Sequence, residues 1–256
     1  MDEDSALMRL ALSAARRGVE ADPNPRVGCV VTDSAGAVVG VGHHRGAGTP
    51  HAEVAALAAA GEAASGGTVY VTLEPCNHTG RTGPCSRALV AARIARVVFA
   101  VADPDPAAAG GAATLAEAGV IVEGGVLTTE AEEVNASWLH AKRMGRPWVV
   151  AKSASTLDGR VAAVDGTSRW ITGEAARADV HALRARCGAV VIGTGTAITD
   201  DPQLTVRGTD GADAPRQPLR VVVGHRPLPA GTRLLDGDAE TLVLNTRDPA
   251  EVLASL

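Results

Sequence analysis

Aromatic residues are almost missing from this chain: Tyr70, Phe99, Trp138, Trp148 and Trp170 are all that 256 residues supply. A core must therefore be built from Val, Leu, Ile and Ala, an apolar economy that suits buried parallel strands under helices. Cysteine is scarce too. Four thiols (Cys29, Cys76, Cys85 and Cys187) are too few for a disulfide scaffold in a chain of this length. There is no excess of basic residues either, since 24 Lys+Arg against 29 Asp+Glu leave a formal charge of −5. The general phosphate attraction that drives nucleic-acid binding therefore has no global source, although a small anionic ligand met by a few local arginines stays open. No 18 apolar residues occur in a row, and the opening MDEDSALMRLALSAARRG is acidic with no apolar run and cleavage site. The expectation is a cytoplasmic globular protein with no nucleic-acid or membrane partner, for which a homo-oligomer stays open.

What is present is ample core material, 46% hydrophobic residues, in a patterned order. Residues 5–17 place Ala6, Leu7, Leu10 and Ala14 on one side and stop at Gly18, which predicts an amphipathic helix. VGCVVTD (27–33) and AVVGVG (37–42) predict a hairpin. A helix over 51–64, strand 68–73, helix 84–93, strand 96–103, helix 110–118 and strand 120–125 follow, giving an α/β layered domain with a sheet covered on both faces. RMGRPWVV (143–150) reads as a seam near residue 145, dividing the chain into 1–145 and 146–256. Beyond it the pattern predicts a strand in WVVAKSA, helix 174–186, strands 189–195, 219–224 and 241–245, and a helix from Asp248 or Pro249.

The chemistry concentrates in TPHAEVAALAAAG and TLEPCNHTGRTGPC. His51 and Glu53 open a helix, while Cys76 and Cys85 lie where the next strand breaks into its loop; in an α/β sheet these are neighbouring carboxyl-end positions. One imidazole and two thiolates are the set a catalytic zinc uses when it keeps a fourth position open, whereas a closed structural site would need His78 as fourth ligand. Glu53 favours the open site, because a carboxylate two residues from a ligand His is suited to carry protons, and H-x-E followed by P-C…C is the signature of zinc deaminases. Cys29, inside an apolar strand, reads as a small buried hydrophobe. His43 and His44 read as loop polar residues.

The second cysteine of this signature ordinarily follows as P-C-x-x-C, whereas here eight residues intervene. PHAE, that long cysteine loop and PNPRVG (23–28) together resemble the bacterial bifunctional riboflavin-biosynthesis deaminase–reductase family. The resemblance runs from about residue 5 to the end. It implies a cytidine-deaminase-like first domain in which His51, Cys76 and Cys85 hold Zn2+ and Glu53 transfers protons. The implied substrate is a phosphorylated pyrimidine, 2,5-diamino-6-ribosylamino-4(3H)-pyrimidinone 5′-phosphate, which loses its 2-amino group as ammonia. Asn24, in a Pro-Asn-Pro turn, is read as a ring contact or as a turn residue.

AKSASTLDGRVA (151–162), TSRWITGEAAR (167–177) and GTGTAITDDPQLTVR (193–207) are similar to the family's second half, a dihydrofolate-reductase-like domain that uses NADPH to convert ribosyl to ribityl. The resemblance implies cofactor contacts at Ala154, Trp170, Thr196 and Asp200, and substrate contacts at Ser168, Arg184, Leu204 and Arg207. Guanidinium forks at Arg184 and Arg207 suit a sugar phosphate. The family's second half continues through a glutamate–glycine-rich segment, while this sequence closes on VLNTRDPAEVLASL. The expected second domain is thus incomplete at its C-terminus, with weak NADPH binding and reduction that is slow or absent; the alternative reading is a protein that only deaminates this or another free nucleotide, with a non-catalytic second domain.

Overall fold

In the computed structural model, residues 2–20, 22–79, 83–168, 170–208, 211–246, 248 and 250 are described. They form two compact units, Met1–Val150 and Ala151–Leu256. Most of the helix expected from Asp248 or Pro249 lies outside the described residues.

The first unit runs α1 (Glu3–Ala15), β1 (Gly28–Thr32), β2 (Val38–His43), α2 (Ala52–Ala60), β3 (Thr68–Leu73), α3 (Cys85–Ala91), β4 (Arg96–Val101), α4 (Gly111–Glu117), β5 (Ile121–Gly124), α5 (Thr128–Val134) and α6 (Ala136–Met144). Helix α1 starts two residues before the pattern suggested because Asp2 caps it, accepting from the Ser5 amide at 2.7 Å, with Glu3 and Asp4 in the favourable first turn. Its buried Met8, Ala11, Leu12 and Ala15 recur at helical spacing.

The sheet order is β2-β1-β3-β4-β5, with β1 antiparallel to both neighbours and β3, β4 and β5 parallel. Strand alternation sorts the core into two layers. Val30, Tyr70 and Val98 face α1, α5 and α6, whereas Cys29, Val31, Val69, Val71 and Val97 face α2, α3 and α4. Helix α2 lies directly on β2: a Cβ at Gly42 would stand 2.4 Å from the Ala52 carbonyl oxygen, so glycine there sets how closely the site's helix approaches the sheet. Helices α5 and α6 escaped the sequence pattern.

The second unit holds α7 (Glu174–Ala185), β6 (Ala189–Gly193), α8 (Thr194–Asp200), β7 (Leu219–Val223) and β8 (Thr241–Leu244), with β6-β7-β8 all parallel. Two expectations are corrected here. WVVAKSA forms no strand: Val149 is 82% exposed, and among the described residues nothing pairs with this segment, so its N–H and C=O groups have no ladder to join. The expected strand 189–195 ends at Gly193, and Thr194 begins α8. No helix among the described residues is long and apolar enough to cross a membrane.

Candidate active site

Three elements converge at the carboxyl end of β3. His51 is the residue before α2, Cys76 sits in the loop after β3, and Cys85 is the first residue of α3. His51 Nδ1 lies 3.3 Å from Cys85 Sγ and 3.5 Å from Cys76 Sγ, and all three donor atoms fall within 4.8 Å of one another. Tetrahedral zinc with ordinary bond lengths places nitrogen and sulfur ligands about 3.6 Å apart, so this donor set fits the ion. The thiols are buried and share protons with His51: the Cys85 and His51 hydrogen bonds hold the Cys76 thiol low, and the same partnership with Cys76 pushes Cys85 up. His78 is exposed and stands outside the trio.

Glu53, in the first turn of α2, is 4% exposed, and burial pushes its carboxyl up to about 7. A carboxyl poised there can hold or release a proton at working pH. It borders a cavity of about 210 Å³ together with Asn24, His44, Asp103, Asp105 and Lys142.

The site contains residues that the motifs did not announce. His44 is buried, not a loop polar: its Nδ1 lies 3.1 Å from the Pro50 carbonyl and its Nε2 3.2 Å from Asn24 Nδ2, with its ring edge-on to His51. Glu74 spreads its carboxylate over three backbone amides, Asp103, Gly110 and Ala112, each at 3.1 Å. This ties the segment carrying Asp103 and Asp105 to the cysteine loop, and the Asn77 amide adds a bond to the Ala108 carbonyl at 2.8 Å. Asn135 holds the Asn24 loop by both ends of its amide, accepting from the Arg26 N–H and donating to the Arg26 carbonyl at 2.8 Å each. Only long-range contacts reveal these roles; the one signal in the sequence was a polar residue at the edge of each motif.

In the second unit, Arg184 donates to the Thr205 carbonyl at 2.7 Å, the Arg207 amide to His181 Nδ1 at 3.4 Å, and the Arg207 side chain to Gln203. Arg184, Leu204 and Arg207 therefore share one neighbourhood, with Leu204 in the left-handed region at φ 57°. Burial and the neighbouring arginines depress both Arg184 and His181. Trp170 is exposed beneath the Arg177 guanidinium, 4.5 Å from its ring centroid, and Thr196 and Asp200 ride on α8. Among the described residues no hydrogen bond joins Ala154 or Ser168 to the arginine group.

A histidine–dicysteine site beside a buried glutamate, at the carboxyl end of a five-stranded mixed sheet, defines a zinc deaminase domain, here followed by a second α/β unit. The family description "Cytidine and deoxycytidylate deaminase zinc-binding region" matches residues 1–101, and "RibD C-terminal domain" matches 147–256. The riboflavin biosynthesis protein RibD of Mycobacterium tuberculosis is 51% identical over 238 residues, covering 91% of this chain and 69% of the relative; that of Escherichia coli K12 is 43% identical over 259 residues, covering 96% and 70%. Solved structures of RibD from Acinetobacter baumannii (TM-score 0.88, 44% identity, 99% of this chain and 72% of that one) and of a diaminohydroxyphosphoribosylaminopyrimidine deaminase/5-amino-6-(5-phosphoribosylamino)uracil reductase from Thermotoga maritima (0.86, 35%, 97% and 72%) superpose on it. The chain belongs to the RibD family of bifunctional deaminase–reductases of riboflavin biosynthesis. Its two domains imply the cofactors Zn2+ and NADPH.

Proposed function

We propose that the first unit hydrolytically deaminates 2,5-diamino-6-ribosylamino-4(3H)-pyrimidinone 5′-phosphate, exchanging the ring 2-amino group for oxygen and releasing ammonia. The observation that carries this reading is the buried Glu53 beside the His51–Cys76–Cys85 trio. These three residues would hold zinc, which when bound supplies the Lewis acidity that activates water near neutral pH. Glu53 takes the proton that the attacking water loses and delivers it to the departing nitrogen, a task suited to a carboxyl near pH 7. The Asn24 amide, oriented by His44, contacts the ring. The test is ammonia release from the pyrimidinone phosphate by the zinc-loaded chain, with Glu53→Gln as the control; release at the wild-type rate by that variant overturns the reading.

In the second unit, Ala154, Trp170, Thr196 and Asp200 contact NADPH, while Ser168, Arg184, Leu204 and Arg207 hold the sugar phosphate that is reduced. Support comes from the Arg184–Arg207–His181 group, whose mutual repulsion an anion would relieve. NADPH oxidation, followed separately on the deaminated product, tests it.

A further inference from the structure

The cavity beside Glu53 has an unusual charge balance for a site that receives a sugar phosphate. Four carboxylates line it, Glu53, Glu74, Asp103 and Asp105, and Lys142 is the one lysine or arginine among the described lining residues. Glu74 is taken up by its three amides and Glu53 serves the metal end. A phosphate dianion entering such a pocket would be repelled by the carboxylates and needs a fixed cation to offset them. Lys142 comes from the last turn of α6, an element separate from those that carry the metal ligands. Its Nζ lies 2.7 Å from Asp105 Oδ2 and 5.9 Å from the Trp138 ring centroid, and its side chain stays 39% exposed. The ring and the carboxylate thus hold the ammonium at the cavity wall while leaving it within reach of solvent.

We propose that Lys142 is a specificity residue that recognises the phosphate of the pyrimidine nucleotide, its ammonium moving from Asp105 alone to a position shared with a phosphate oxygen. The inference rests on the deaminase reading above and deepens it. Asp105 then acts as an internal competitor, keeping Lys142 in place when the pocket is empty and weakening its hold on the ligand. A tie that merely braces α6 against the Asp105 segment would behave differently, because removing either partner would damage the same contact in the same direction.

The experiment compares the phosphorylated pyrimidinone with its dephosphorylated riboside, using the zinc-loaded full chain. Ammonia release gives kcat and KM, and calorimetry gives binding in an Arg184→Ala, Arg207→Ala background that silences the second unit's cations. Lys142→Met should raise KM for the phosphorylated compound about tenfold, leave kcat within about twofold, and leave the riboside's KM unchanged. Lys142→Arg should restore most of the preference, and Asp105→Asn should lower KM for the phosphorylated compound. The wild-type preference should fade with added salt, as a partly exposed charge contact does. Equal losses on both compounds in Lys142→Met, or a KM rise in Asp105→Asn matching that of Lys142→Met, would overturn the proposal while leaving the deaminase reading intact. Preferential binding that Lys142→Met abolishes, without ammonia from either compound, would sustain the role of Lys142 and overturn the deaminase reading.

Discussion

The side-chain amide nitrogen of Asn24 stands 3.2 Å from Nε2 of His44. Because His44 Nδ1 faces the Pro50 carbonyl at 3.1 Å, that nitrogen must carry the ring proton, so Nε2 accepts and the Asn24 amide donates. Under the proposed function the Asn24 carbonyl oxygen would then accept from an N–H of the substrate ring. His44→Phe should raise KM by about tenfold, the cost of one misplaced hydrogen bond, and leave zinc content unchanged. Steady-state kinetics with metal analysis checks both halves.

Glu53→Gln keeps the shape of the first turn of α2 and the donor set of the trio. It should bind zinc at the wild-type level and lose roughly 10²–10⁴ in kcat, the contribution typical of a positioned proton carrier. Ammonia release at matched zinc occupancy gives the answer, and a loss under tenfold would remove Glu53 from the chemistry.

Cys85→Ser should behave in the opposite way, losing metal and activity together, because three protein ligands leave none to spare. A chelator should abolish ammonia release by the wild type, and added zinc should restore it. Full zinc occupancy in the variant would show that another residue completes the set.

The candidate metal trio was legible in the sequence because H-x-E and the P-C…C loop are local patterns whose spacing reflects helix and loop geometry. The order of elements in the first unit was legible as well, from alternating Val-rich segments and small-residue helices such as 52–60, but the strand order β2-β1-β3-β4-β5 was not, because it is set by long-range pairing. Asp105 and Lys142 were not legible, since 37 residues separate them and only the packing of α6 brings them together. WVVAKSA carries a strand's composition, yet a strand also needs a neighbour, and composition says nothing about that.

Gly111 tests the clamp that shapes the cavity wall. A Cβ there would stand 1.7 Å from the Pro75 carbonyl oxygen, a backbone atom that cannot rotate away. Gly111→Ala should therefore push α4 from the cysteine loop and strain the three amide bonds to Glu74. The expected cost is about 2–3 kcal/mol in denaturant unfolding, together with weakened zinc binding, since Cys76 shares the displaced loop. Unchanged stability would mean that the two loops are separable.

Tyr70, Asp4 and Arg96 tie α1 to the sheet, and their linkage gives a stability profile with two arms. The Tyr70 hydroxyl donates to Asp4 Oδ1 at 2.9 Å, and Arg96 grips both oxygens of Asp4, at 2.9 and 2.6 Å. Arg96 holds the Asp4 carboxyl below its ordinary value, so this contribution is present above about pH 4 and is lost as pH falls through the lowered folded value. Burial first, and then the bond to Asp4, push the Tyr70 phenol up to about 12. The folded state therefore keeps that proton while the unfolded chain releases it near pH 10, so stability is full below pH 10 and falls as pH rises towards 12. Tyr70→Phe should be less stable by about 1 kcal/mol at pH 8 for want of the hydrogen bond. Between pH 10 and 12 it should escape a decline on the order of 2 kcal/mol that the wild type suffers. Urea unfolding of both proteins at pH 8, 10 and 11.5 makes the comparison, and parallel curves across the alkaline range would show that the Tyr70 phenol titrates alike in the folded and unfolded chain.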